Sequence, residues 1–213
     1  AVTMGLLLAL DWLTQRSGAR QVTAIKWLSL LLVVLVLVIL ASAFQRMSLY
    51  ESAYGFTSLR VYTHWFMLWM AALFVLKAAA QCFERGQIFA FGGFVSLIVA
   101  LAGFNLLNPD AFIAEQNLLR YLASGKIDTD YAIAMSADAA PIFMAHLEQL
   151  QGPEKEKIGG GMKAEKDDLY RALSGAAWPS YHLARKQALD ALLAKSDVLH
   201  RFKPVRARGR GFD

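Results

Sequence analysis

Three stretches of nearly unbroken apolar residues dominate the first half of the chain; amphipathic patches separated by Gly, Pro and Asp fill the second. The first stretch, about Val22 to Phe44, carries no charge over its centre from Leu28 to Ala41. About 20 such residues cross a bilayer core at helical rise, and strands of that length are rare in soluble sheets, so the pattern predicts a spanning helix. The second, about 61–80, opens with Tyr62, Trp65, Phe66 and Trp69, the aromatic belt expected at headgroup depth. Lys77, near its other end, is expected to extend its ammonium to the interface while its stem stays in lipid. The third covers about 87–107, and on it Gly92, Ser96, Ala100 and Gly103 fall on one stripe. Small residues let helices approach closely in lipid, so this stripe is the predicted helix–helix contact face. The opening apolar run, Gly5 to Leu10, is too short to span and has no signal-peptide pattern. Residues 1–21 are read either as an interfacial segment or as the end of a preceding span.

Beyond the third stretch the punctuation changes. Asn108-Pro109-Asp110 combines a good N-cap, a proline suited to the first helical position and an acid at the positive end of the dipole. A helix over 109–124 is predicted, ended by Gly125. Asp128, Asp130 and Asp138 are read as caps of the short elements that follow, and Gly152-Pro153 as a stop. The charged stretch 154–168, interrupted by Gly159, Gly160 and Gly161, is predicted to be a flexible loop. A final helix is predicted from near Trp178 to about Leu199, and 201–213 is a basic tail. The expected fold is all-α: a transmembrane bundle of three spans over 22–108, then a small extramembrane domain over 109–200 of four short helices packed as hairpins.

Charge supports two environments. Only 18% of the 213 residues are charged, against about 25% in soluble domains. Up to Asn108 there are three acidic residues (Asp11, Glu51, Glu84) and seven basic ones; from Pro109 onward there are fourteen and fifteen. Arg16, Arg20, Lys26, Lys77 and Arg85 fall on one side of the spans, and Arg46, Arg60, Arg120 and Lys126 on the other. Five against four places the amino end in the cytoplasm and the tail outside by the positive-inside rule. The single cysteine, Cys82, offers neither an internal disulfide nor metal-ligand spacing.

Chemistry-bearing residues are few. Glu51 and Arg60, with Tyr50 and Tyr54 beside them, bracket the approach to the second span, where charges are costly unless paired or hydrated. They are expected to form a structural ion-pair network, with a substrate or proton site as the alternative. His64 is the only histidine in a span. Its imidazole suits either an interfacial hydrogen bond or, among Trp65, Phe66 and Trp69, a haem iron or chlorophyll magnesium. His146, His182 and His200 have no metal-binding spacing, and no serine-hydrolase elbow, P-loop or dinucleotide fingerprint occurs. Arg206, Arg208 and Arg210 in the basic end suit anionic headgroups, an acidic partner surface or simple solvation. Nucleic acid is not an expected partner, since no aromatic interleaving accompanies these arginines.

The segments Tyr50-Glu-Ser-Ala-Tyr-Gly-Phe-Thr-Ser-Leu-Arg60, Asn108-Pro109-Asp110, Asn117-Leu-Leu-Arg120 and Leu122 to Tyr131 together resemble a bacterial multi-pass membrane family known only as a domain of unknown function. The resemblance runs roughly from Arg46 to Lys195, including Trp178 and the helix with Arg185, and implies the carboxyl-terminal part of a protein with further spans upstream. It implies fold and location in the bacterial cytoplasmic membrane, and transfers no activity. The expected role is that of a non-enzymatic structural or assembly subunit among lipid and other membrane subunits. The rival roles are a transporter, channel or sensor component, and a membrane-bound enzyme using the loop from Glu51 to Arg60.

Overall fold

The computed structural model describes residues 2–14, 19–83, 86–174 and 183–207, with side chains over 2–9, 22–83, 89–174 and 185–207. Every regular element among them is helical. The chain divides into two compact units: residues 1–50 with 62–106, and residues 51–61 with 107–213.

The first unit holds α1 (Val2–Thr14), most of α2 (Ala19–Tyr54), most of α3 (Ser58–Cys82) and α4 (Gly86–Leu106). The last three are long and apolar enough to cross a membrane, with mean hydropathies of 2.9, 1.5 and 2.0 over their candidate spans; the chain is an integral membrane protein. The helix α2 runs ten residues past the predicted end of its span, because nothing between Phe44 and Tyr54 breaks a helix until Gly55, whose φ of 88° suits only glycine well. Leu7 of α1 packs with Val33 and Phe74, all three nearly inaccessible. Elsewhere the spans stay open: Trp27, Val38, Phe91 and Val99 are more than 60% exposed, as lipid-facing apolar side chains are when lipid is the solvent.

Lys77 departs from expectation. It is only 2% exposed, and its ammonium lies 5.8 Å from the centre of the Phe89 ring. Met67, Phe74, Lys77 and Ala80 are buried residues of α3, spaced by seven, three and three residues, the steps that keep side chains on one helix face. Lys77 belongs to that inward stripe, and an aromatic face there attracts its charge.

The second unit contains α5 (Pro109–Ser124), α6 (Thr129–Ile133), α7 (Ala140–His146), α8 (Gly152–Ser174), α9 (Leu183–Ala194) and α10 (Ser196–Leu199), with 3₁₀ turns at Ala137–Ala139 and Leu147–Gln149. This is more broken than four hairpin helices. Asn108, the one non-glycine residue with positive φ among those described, caps α5 by accepting from the Ala111 amide; Gly125 ends it with φ 70°. The core gathers Ala114 and Leu118 of α5, Phe143 and Met144 of α7, Ile158, Met162 and Leu169 of α8, and Leu192 of α9. Of the three acids read as caps, only Asp128 is one, accepting from the Tyr131 amide at 3.0 Å. Asp130 pairs with Lys157 at 2.7 Å, and Asp138 lines a cleft described below.

The predicted loop 154–168 is instead the body of a 23-residue helix, α8. Its glycines are buried contact points. A Cβ on Gly159 would lie 2.8 Å from the Phe202 ring, one on Gly160 would overlap the Lys203 carbonyl oxygen, and one on Gly161 would overlap Ile133. Residues 202–206 form a strap in this notch: Val205 donates its amide to the Gly160 carbonyl at 3.0 Å, and Lys163 reaches the Phe202 carbonyl at 2.8 Å. Three glycines cost a helix about 1 kcal/mol each, and the close approach of strap and Ile133 offsets that. The described start of the basic tail is therefore docked, not a solvated extension. The final helix is interrupted at Lys195, whose ammonium caps the Met144 carbonyl at 2.7 Å. Trp178 and His182, at its predicted start, lie outside the described residues.

Candidate functional site

The segment 51–61 joins the end of α2 to the start of α3, and its backbone is held by side chains from α5 and α6. Asn117 on α5 grips Phe56 from both sides: the Phe56 amide donates to Oδ1 at 2.7 Å, and Nδ2 donates to the Phe56 carbonyl at 2.9 Å. One turn on, Arg120 donates from Nε to the Ser52 carbonyl at 3.2 Å and from Nη2 to that of Ala53. These are last-turn carbonyls of α2, which lack helical partners and sit at the negative end of the dipole, where a cation is favoured. Arg60 donates to the Gly55 carbonyl. On α6, the Tyr131 hydroxyl accepts the Ser58 amide at 2.8 Å and lies 3.0 Å from the Ser58 hydroxyl, itself 3.5 Å from Asp110. The Phe56 and Phe112 rings meet edge to face, 5.9 Å between centres.

Of the residues that the sequence marks here, Glu51 is 4% exposed and Tyr54 is 70% exposed. Asn117, Arg120 and Tyr131 do most of the holding, and no local pattern marks them: their partners in the segment lie 61 to 73 positions away in sequence.

In the spanning unit, the small-residue stripe of α4 meets α3. A Cβ on Gly92 would sit 2.9 Å from Leu76, and one on Gly103 3.2 Å from Trp65. The Trp65 indole donates to the Ala100 carbonyl at 3.1 Å, and the Trp69 indole to the Ser96 hydroxyl at 3.4 Å. His64 turns toward α2: Nε2 lies 3.4 Å from the Phe44 carbonyl and 3.5 Å from the Ser48 hydroxyl, with its ring 4.2 Å from that of Phe44.

Residues 1–145 match the family described as Domain of unknown function (DUF4153). The chain belongs to that family. The DUF4153 match starts earlier and stops earlier than the resemblance over 46–195: it takes in all of α1 and α2 and ends within α7, leaving Trp178 and Arg185 outside. It covers every residue of the clamp, so the scattered segments Tyr50–Arg60, Asn108–Asp110, Asn117–Arg120 and Asp130-Tyr131 are one constellation in space. No curated protein and no solved structure matches the chain.

The DUF4153 boundary cuts through a second feature, a cleft of about 490 Å³ lined by Ser136 and Asp138 before it and by Glu165, Asp168, Leu169 and Arg185 after it. Burial, then the nearby Asp110 carboxylate, raises the Asp138 pKa. Burial, then Asp168, raises that of Glu165, while Arg185 opposes the shift. Asp168 is paired with Arg171 and, at 3.0 Å, with Arg206 of the strap; Arg208 and Arg210 lie outside the described residues. A carboxyl whose pKa is raised on folding binds its proton more tightly in the native state, so its contribution is most favourable below the ordinary carboxylate range. That contribution is lost as pH rises through the native value. Glu165→Gln is therefore expected to raise the thermal midpoint at neutral pH and leave it nearly unchanged in acid, as followed by circular dichroism in detergent.

Proposed function

We propose that this chain is a non-catalytic integral membrane protein that serves as a structural or assembly subunit of a larger complex in a bacterial cytoplasmic membrane, with its helical domain on the outer side. One observation carries the reading. Four of the polar side chains gathered at 51–61 are directed at main-chain groups: Arg60, Asn117, Arg120 and Tyr131 hold Gly55, Phe56, Ser52, Ala53 and Ser58. Such an arrangement fixes a turn and a helix end; it does not aim a reactive group at a substrate. The wide apolar exposure of α2 and α4 leaves room for further helices as well as lipid. Purification in mild detergent followed by native mass spectrometry tests this: stoichiometric partners are the expected outcome, and a stable lone monomer overturns it.

A transporter or channel component is the second reading, favoured by Lys77. An ionisable side chain inside a span is costly and usually serves an ion or substrate path, and this one is 2% exposed. Loss of flux in Lys77→Met with assembly intact would establish that reading. A haem or chlorophyll at His64 requires Nε2 to leave the Phe44 carbonyl; visible absorbance that disappears in His64→Ala is its signature.

A further inference from the structure

A groove runs between α2 and α3, wholly within the first unit. Leu37, Ala41, Phe44 and Gln45 of α2 line one wall and Met67 and Ala71 of α3 the other, around a space of about 320 Å³. Small-ligand sites run from about 300 to 1,000 Å³, so the space is large enough to hold something. Leu37, Ala41 and Gln45 follow one another at four-residue steps and so form a stripe along α2. The two alanines leave open what larger side chains would fill. Gln45 is the one polar residue of the lining, and it stands at one end.

We propose that this groove seats one phospholipid, its acyl chain lying along the groove and its phosphate at the Gln45 end beside Arg46. Depth is the first argument. No charged residue and no histidine stands between Lys26 and Arg46. These two cations are 20 positions apart on α2, about 30 Å at helical rise. A hydrocarbon core is also about 30 Å thick, so Lys26 and Arg46 mark the two boundaries that α2 crosses. Leu37 then lies near the midplane and Gln45 at the headgroup boundary. Length is the second argument. From Leu37 to Gln45 the groove covers about 12 Å, most of the roughly 15 Å that one leaflet contributes to the core. A transmembrane helix seated here would need a groove continuing past the midplane, whereas this lining ends at Leu37 and Ala71. Charge is the third. Arg46 is exposed next to Gln45, and a guanidinium suits a phosphate in both charge and hydrogen-bond geometry. The Gln45 amide adds donors for the ester carbonyls that lie just below a phosphate.

The test uses the full chain in vesicles of phosphatidylethanolamine and phosphatidylglycerol, extracted in mild detergent and weighed by native mass spectrometry. One phospholipid retained per wild-type chain is expected. Ala41→Phe and Ala71→Phe, which fill the groove, should retain severalfold less, and so should Arg46→Gln. Val38→Phe, at an exposed position of α2 outside the groove, should retain as much as the wild type. A wild-type chain free of phospholipid overturns the proposal, and so does equal retention in the two groove variants and Val38→Phe. A phosphatidylglycerol with a diazirine in its acyl chain tests the unsubstituted protein. After extraction, light should attach it at Ala41, Phe44, Met67 or Ala71. Attachment confined to other positions overturns the proposal, as does a polypeptide cross-linked at the groove in place of lipid. Lipid is counted per chain, so a lone monomer that keeps its phospholipid overturns the assembly role and leaves the groove's occupant standing.

Discussion

Gly160→Val is expected to destabilise the second unit by about 3 kcal/mol, the upper end of the usual cost of overpacking. The sign is the informative part. Val has a better helix propensity than Gly by a few tenths of a kcal/mol, and in a flexible loop such a change stabilises by restricting the unfolded chain. Here the new Cβ meets the Lys203 carbonyl oxygen and the Val205 side chain. A backbone carbonyl cannot rotate away as a side chain can, so the strap must leave its groove. That breaks the bond from the Val205 amide to the Gly160 carbonyl and uncovers Phe202, which is 6% exposed. Chemical denaturation followed through the helical signal checks the magnitude. Protease cleavage after Arg201 or Arg206, faster in the variant than in the wild type, checks the mechanism; a neutral or stabilising result means that the strap does not occupy the notch.

Asn117→Ala should cost about 2–3 kcal/mol. The substitution removes one side chain and orphans two backbone groups, the amide and carbonyl of Phe56, each part-buried and each worth about 1–3 kcal/mol when left unsatisfied. Asn117→Asp separates the two halves of the clamp: it keeps the acceptor for the Phe56 amide but faces the carbonyl with an oxygen, so it should lose about as much as Ala. Both variants are expected to increase hydrogen exchange at residues 52–58, with little change in α9. Unchanged exchange there would show that Arg120 and Tyr131 hold the turn without Asn117.

The spanning helices are legible in the sequence because lipid imposes one simple requirement, an apolar run of sufficient length. Boundaries were harder, since α2 continues until a glycine with positive φ stops it rather than ending where its apolar run ends. The helix α8 was hidden by its composition. Glycines and dense charge read as a loop, yet Ile158, Met162 and Leu169 recur at helical spacing, and the glycines are there because Ile133 and the strap approach too closely for a side chain. Lys77 misled for a related reason: length alone lets a lysine reach an interface, and only its neighbours on α3 show that it turns inward. The clamp was visible as fragments that resembled one family, but that they meet is a long-range fact. Nothing local announces that an asparagine at 117 will hold a peptide group at 56.

The clamp also sets an order of assembly during synthesis. Residues 51–61 belong to the second unit, yet α3 and α4 separate them from the rest of it. Phe56 leaves the ribosome 61 residues before Asn117, its hydrogen-bond partner, and both intervening helices must be synthesised before the pair can meet. The groove in α8 closes later still, when residues 202–206 emerge. A nascent chain halted after α4 therefore displays an unclamped turn and a frayed end of α2, the kind of incomplete surface that chaperones and membrane proteases recognise.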